Sequence, residues 1–299
     1  MQYVILDLEW NSGFSKQIGG YFNEIIELGA VKLDETLHII GQFSIFIRPA
    51  VLHRLNPNVR ELTQITPEDL KRGANFNYAV NKFKKFAKGC VIMSWSTADL
   101  DTLEANCRHY YKDEHIPFLQ YYADVQEYFQ AVHEPHSKNQ TALQTAAEEL
   151  GIPTDDIPLH RAIGDSLLTA RVLQKIYDAE RFAPFIRVVD DEFYRRLNFH
   201  VTYLCQYDNP LIDKSEMYFL CPVCEQVCEQ ADPWKVRTKA FHTVVACPVC
   251  GKRYNGRIQF KLCYDGVKVF KRLSEVKEDT SSAEETSPAE EDPTSGDAQ

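Results

Sequence analysis

Apolar runs interrupted by isolated acids mark the first part of the chain. In "VILDLEWNSG", residues 4–13, Val4, Ile5 and Leu6 are followed by Asp7, with Glu9 two residues on. Runs of this kind, rich in β-branched and aromatic residues, predict strands at 3–9, 24–34 ("EIIELGAVKLD"), 38–48 ("HIIGQFSIFIR") and 91–95 ("VIMSW"). Helical spacing of apolar positions predicts helices at 76–88, 98–110, 140–150 and about 160–179. Gly151, directly after "TAAEEL", is a fitting C-terminal helix signal. Three successive strands, then a strand set among helices, imply an α/β unit over residues 1 to about 180: a mixed sheet with helices packed on it.

The pattern changes beyond this unit. Residues 181–204 read as a connector, and cysteine, lysine, arginine and aromatic residues then concentrate in a smaller second domain at 205–273. Two domains agree with a length of 299 residues, and 44% hydrophobic composition is ordinary for a globular protein. The net charge of −10 at first argues against nucleic acid as a partner. It is concentrated at the end of the chain, where residues 274–299 carry nine acids against Lys277, a net −8 that leaves −2 for the rest. This acidic tail has almost no large apolar residues and cannot repay its ordering entropy, so it is expected to be disordered. The N-terminus lacks a signal-peptide pattern and no apolar run is long enough for a membrane span. Nine cysteines, an odd count with two Cys-x-x-Cys pairs, suit metal binding in a reducing compartment, and a cytoplasmic location is expected.

Alternation along a strand places Asp7 and Glu9 side by side on one face. Two buried anions at that separation repel, and a divalent cation would relieve them. If the strand instead ends at Leu6, both acids are simply solvated; from these residues alone the two readings are equal. Asp99 and Asp101, in "STADLDTL", fall at a strand-to-helix junction, where α/β proteins place ligand sites and where acids also serve as helix caps. In "LHRAIGDSLLTARVL", Pro158 favours His160 at a loop mouth with Asp165 one turn inside the following helix, so that both can face one cleft.

Together these residues resemble the DEDDh branch of the DnaQ-like (RNase T-like) 3'-5' exonucleases. Asp7 and Glu9 match the family's D-x-E, Trp95 and Asp99 its Trp with Asp four residues on, and His160 and Asp165 its H-x4-D. "EIIELGAVKLD", "ELTQIT" at 61–66 and "TALQTAAEELGI" support the match, which covers residues 1–180 in order. Two departures concern substrate seating. Trp10, Asn11, Ser12 and Gly13 replace the usual small-polar run, and Ser96 stands where the family commonly has Gly.

The resemblance implies a ribonuclease H-like mixed five-stranded sheet flanked by helices. It also implies catalytic residues Asp7, Glu9, Asp99, His160 and Asp165, the four carboxylates holding two Mg²⁺ or Mn²⁺ ions and His160 acting as general base. The implied reaction is hydrolysis of phosphodiester bonds from a single-stranded 3' end, releasing nucleoside 5'-monophosphates. RNA is preferred over DNA, from the similarity of "ELTQIT" and the second strand to RNA-processing members. Asp101 is the rival to Asp99.

"CPVC" occurs twice, and Cys221, Cys224, Cys247 and Cys250 form two Cys-x2-Cys pairs suited to one structural Zn²⁺ in a small β-rich zinc ribbon. Gly251 supplies the tight turn such knuckles use, and Cys228 is an alternative fourth ligand. From Pro233 to Arg272 there are ten basic residues and one acid, interleaved with aromatics. Positive charge tracks phosphates while rings stack on bases. The nucleic-acid-binding candidates are Trp10, Lys235, Arg237, Lys252, Arg253, Tyr254 and Arg257. A noncatalytic nucleic-acid-binding adaptor, or a protein-interaction module built on the ribbon and tail, are the competing functions.

Overall fold

The computed structural model describes residues 1–113, 115–133 and 140–276. The chain divides into two compact units between Asn198 and Phe199. Among the described residues no helix is long and apolar enough to cross a membrane.

The first unit begins with strands β1 (Gln2–Ser15), β2 (Gly20–Leu33) and β3 (Ile39–Phe46), then helices α1 (Pro57–Thr63), α2 (Pro67–Arg72) and α3 (Phe76–Phe86). Strand β4 (Cys90–Ser94), α4 (Ala98–Tyr111), β5 (Tyr121–Asp124), α5 (Val125–His133), α6 (Leu143–Glu149) and α7 (Ala162–Ile176) follow. It closes with α8 (Ala179–Phe182), β6 (Arg187–Val188) and α9 (Asp191–Leu197). Local chemistry starts the short helices. The Asn56 side chain accepts from Asn58 N with Pro57 in the first turn, and Thr66 forms a capping box with Asp69 ahead of α2.

The sheet has six strands in the order β3-β2-β1-β4-β5-β6, rather than the five expected. β1 pairs antiparallel with β2 and parallel with β4, and β4 is parallel to β5. The added edge comes from residues expected to be a connector: Val188 pairs with Tyr121, and Phe193 and Tyr194 are buried in the same core. Residues 181–198 therefore belong to this unit. Strands as short as β5 and β6 show too little alternation to be legible in sequence.

Both faces of β1 are covered, so its inner half reads as a continuous apolar run. Val4, Leu6 and Leu8 pack with Phe83, Leu100 and Leu103, while Tyr3 and Ile5 pack with Ala170, Leu173 and Phe182 on the other side. Each fully buried Ile or Leu contributes roughly 1.5–3 kcal/mol. Asp7 and Glu9 continue the face of Tyr3 and Ile5, the one turned to α7. Two glycines let α7 approach: a Cβ on Gly29 would lie 2.2 Å from the Ala162 carbonyl carbon, and one on Gly164 would lie 1.9 Å from the Pro158 oxygen.

The second unit contains β7 (Thr202–Leu204), β8 (Glu229–Gln230), β9 (Lys235–Arg237), β10 (Ala240–Ala246), β11 (Arg253–Cys263) and β12 (Gly266–Glu275). The path β12-β11-β10-β8 is antiparallel throughout, with β7 also paired to β11 and β9 to β10. Its core is Phe219, Phe241, Tyr254, Ile258 and Phe260 around the cysteines. Ser274 and Glu275, expected to begin the disordered tail, complete β12 opposite Asn255 and Tyr254; residues 277–299 of that tail lie outside the described residues.

Candidate active site and cysteine cluster

A cleft of about 550 Å³ in the first unit is lined by Asp7, Glu9, Asp99, His160 and Asp165, with Trp10, Trp95, Leu143, Leu159 and Leu168 as its apolar walls. Carboxylate oxygens of Asp7, Glu9 and Asp165 all lie within 4.8 Å of one another. The fourth acid stands slightly apart. Asp99 is buried at the start of α4, and its Oδ1 accepts the Leu8 N–H at 3.0 Å. Asp101 is exposed on α4 and does not line the cleft.

The strand register explains the convergence. Glu9 lies opposite Glu27 of β2, and the pairing slips by one residue before Trp10, a bulge of the kind found beside active sites. His160 is exposed on the loop before α7 with φ 58°, and Asp165 lies in the first turn of α7, where the helix dipole favours a carboxylate.

The site is electrostatically strained. Burial, then the charges of Asp99, Asp165, Glu9 and Glu27, push Asp7 well above the usual carboxylate range. Glu9 is raised to about 8 by burial and by Asp165, Glu27 and Asp99, against the opposing pull of Arg161. Burial raises Asp99 to about 7 against the Leu8 N–H, and raises Asp165 against the charge of His160. Among the described residues no lysine or arginine lines the cleft, and His160 is the one basic side chain that does. This donor set, hard oxygens gathered at repulsive distance, fits a divalent cation.

Sequence reasoning missed the partners that hold this geometry. Glu27, fully buried, receives Arg161 Nε at 2.9 Å and Nη2 at 2.8 Å, and Arg161 sits between His160 and the first residue of α7. The signal was an acid within the apolar run "EIIELGAVKLD" and an arginine directly after the candidate histidine. Asp124, also raised by burial, receives Ser96 N at 3.2 Å and Glu127 N at 3.1 Å. Ser96 itself has φ 82°, left-handed backbone at the position where the resembling family favours glycine.

In the second unit the sulfurs of Cys221, Cys224, Cys247 and Cys250 lie within 4.8 Å of one another. Both "CPVC" turns fold alike. Glu225 N donates to Cys221 O at 2.9 Å and Gly251 N to Cys247 O at 3.0 Å, with Glu225 and Gly251 at φ 58° and 71°. Against the cost of burial, N–H groups of Val223 and Cys224 and the Tyr254 hydroxyl hold the Cys221 thiol down to about 6, towards the thiolate a metal needs. Cys228 and Cys263 are not part of the group of four.

The nucleic-acid candidates divide. Trp10 lines the acidic cleft, while Lys235 and Arg237 line a separate 250 Å³ cleft with His242 and Asn255. Arg253 and Arg257 lie on the outward side of β11, Arg257 directly opposite Arg272, and Lys252 is 3.6 Å from Glu275. Tyr254 is a correction: its ring is 1% exposed and its hydroxyl lies 3.7 Å from Cys221 Sγ, so it is core and unavailable for stacking.

The RNase_T exonuclease family model matches residues 4–173. No curated protein matches the chain significantly in sequence. Among solved structures, the nuclease domain of 3'hExo, a DEDDh family member, bound to rAMP, is similar at 22% identity and TM-score 0.52, covering 63% of this chain and 96% of that one. A 3'-exonuclease in 3'-end-specific recognition of the histone mRNA stem-loop matches at 20% identity and TM-score 0.51, over 63% of this chain and 91% of that one. Cell-death related nuclease 4 (CRN-4) matches at 16% identity and TM-score 0.50, over 75% and 86%.

Proposed function

The chain belongs to the RNase T exonuclease family and is a DEDDh-type 3'-5' exonuclease; from that premise we propose that it trims single-stranded RNA from the 3' end, releasing nucleoside 5'-monophosphates. The observation that carries the reading is the convergence of Asp7, Glu9 and Asp165 on one cleft that Asp99 and His160 also line. Asp7, Glu9 and Asp165, with Asp99 beside them, would hold Mg²⁺ or Mn²⁺. Bound there, such ions supply a lowered pKa for the attacking water and charge stabilisation for the leaving 3'-oxygen.

The residues of the chain do the rest. His160, exposed at the cleft mouth and near Asp165, takes the proton of the attacking water as general base. Trp10, Trp95 and Leu159 form the apolar wall against which a terminal nucleoside packs. Asp99, tied to Leu8 N, fixes the start of α4 against β1 as well as lining the cleft. RNA is favoured by the similarity of "ELTQIT" and β2 to RNA-processing members, and two of the structural neighbours hold an RNA stem-loop and rAMP.

For the second unit the proposed occupant of the four cysteines is one structural Zn²⁺. Its sheet supports nucleic-acid capture. Arg257 faces Arg272 and Lys261 faces Lys268 across the β11–β12 pairing, like charges that destabilise the ladder unless an anion lies over them.

The test is digestion of 3'-labelled single-stranded RNA, single-stranded DNA and duplexes with Mg²⁺, Mn²⁺ or EDTA. Mononucleotide release that requires the metal and is lost in Asp7→Asn and His160→Ala is expected. Equal digestion by these variants and wild type would overturn the assignment, and a faster reaction on DNA would overturn the substrate.

A further inference from the structure

We propose a second, cationic site in the first unit that grips the phosphodiester backbone of the substrate strand upstream of the scissile bond. This deepens the exonuclease reading and rests on it. Among the described residues the active cleft is lined by acids and His160 but by no lysine or arginine, so it offers little counter-charge for the phosphates trailing behind the terminal nucleotide. A separate cleft of about 460 Å³ provides it: Arg48, His53, Arg54, Arg60 and Lys71 line it, and among the described residues no carboxylate does.

The two clefts share a wall. Helix α1 presents Val59, Leu62 and Thr63 to the acidic side and Arg60 to the basic side. Helix width sets the separation, about 10 Å. On β1, Trp10 and Ser12 line the acidic cleft, while Asn11 between them turns away, its amide donating to Arg54 O at 2.9 Å and its oxygen accepting Asn56 N at 2.9 Å.

The loop that carries the cations is built rather than loose. Buried Glu24 accepts N–H groups from Ala50 at 2.6 Å, Val51 at 2.9 Å and Leu52 at 2.6 Å, and the Tyr110 hydroxyl at 2.6 Å. Two buried polar side chains, Glu24 and Asn11, thus fix the backbone on both sides of His53 before any ligand arrives. The cations are also unspent. Among the described residues Arg48, Arg54 and Arg60 form no ion pair, and Lys71 has only the exposed Glu68 at 3.9 Å. Guanidinium groups suit this task because each can meet a phosphate through two parallel N–H donors.

The experiment is fluorescence anisotropy of a 3'-labelled 12-mer single strand with the full chain carrying Asp7→Asn, which separates binding from cleavage without a chelator. The triple variant Arg48→Gln, Arg54→Gln, Arg60→Gln is expected to bind about tenfold more weakly. The slope of log K against log salt should shrink by about 2, at about 0.7 per lost single-strand phosphate contact. The loss should be smaller for a dinucleotide, which is too short to reach past α1. A control with Lys84 and Lys85 on α3 and Lys88 just after it changed to Gln should bind as wild type, and melting curves check that the exposed substitutions leave the fold intact.

An unchanged affinity and salt slope would overturn the site, as would an equal loss in the control. Binding of inorganic phosphate or an acidic peptide that is sensitive to the triple variant, with strand binding unaffected, would also overturn it. Strand binding that depends on the arginines, with no cleavage by the wild-type chain, would keep the site and remove the exonuclease reading. Cleavage indifferent to them would do the reverse.

Discussion

Replacing Arg161 by Met should unlock the histidine loop and destabilise the first unit. Glu27 is fully buried and its carboxylate is paired bidentately with Arg161, which is itself 30% exposed at the side chain and lies over the Phe46 ring at 5.1 Å. Removing one partner of a buried ion pair leaves an uncompensated charge at about 3–5 kcal/mol, and partial exposure of Arg161 lowers the expectation to about 3 kcal/mol. For a unit of this size that is a fall in melting temperature of about 6–12 °C. Catalysis should suffer separately, because Arg161 follows His160 at φ 58° and precedes α7, whose Ala162 N–H also donates to Glu27 Oε2 at 3.4 Å. The assay is a double-mutant cycle with Glu27→Met, read by thermal melting and by kcat on a 3'-labelled strand. The double variant should recover most of the stability, since a buried pair can be exchanged for apolar side chains, yet keep the loss in kcat. Additive single effects, with coupling below about 0.5 kcal/mol, would refute the clamp.

Other outcomes follow from the same geometry. Glu9 at about 8 and Asp99 at about 7 are raised in the folded state, so each contributes stability that is full below its unfolded pKa and is lost as pH rises through the folded value. Without added Mg²⁺ or Mn²⁺ the first unit should therefore melt at lower temperature as pH goes from about 5 to 8, and added Mg²⁺ should raise its melting temperature most at the upper end; parallel curves with and without Mg²⁺ would contradict this. Ser96→Gly relieves φ 82° but gives up the Ser96 Oγ contact to Ala98 N at 3.3 Å, so stability should rise by no more than about 1 kcal/mol, measured by urea unfolding. Cys247→Ser should unfold the second unit and remove bound zinc in metal analysis while Mg²⁺-dependent mononucleotide release from a short oligonucleotide persists.

Much of the first unit could be read without coordinates because its strands are covered on both faces. Burial there leaves apolar runs such as "VIL" and "EIIELGAVKLD", and α3, α4 and α7 fall within a few residues of their predicted spans. The two "CPVC" turns were equally legible, since a four-sulfur site is written in spacing. Other features were silent. Strand β6 is two residues long, and α9 presents only a short stripe of Phe193, Tyr194 and Leu197 to the core, so residues 181–198 look like a connector. Tyr254 reads as a candidate base-stacker because composition does not reveal which face of β11 turns inward.

Sequence by itself determined the order of the longer strands and helices of the first unit, the acid and cysteine motifs, and the placement of charge, because these depend on neighbours a few residues apart. Tertiary structure alone decided which acids meet and what restrains them. Glu27 and Arg161 are 134 positions apart, and Glu24 reaches a loop 26 residues away. Such pairings depend on strand register, on a one-residue bulge, and on glycines that admit α7 to β2. They are set by packing in three dimensions, which local pattern does not encode.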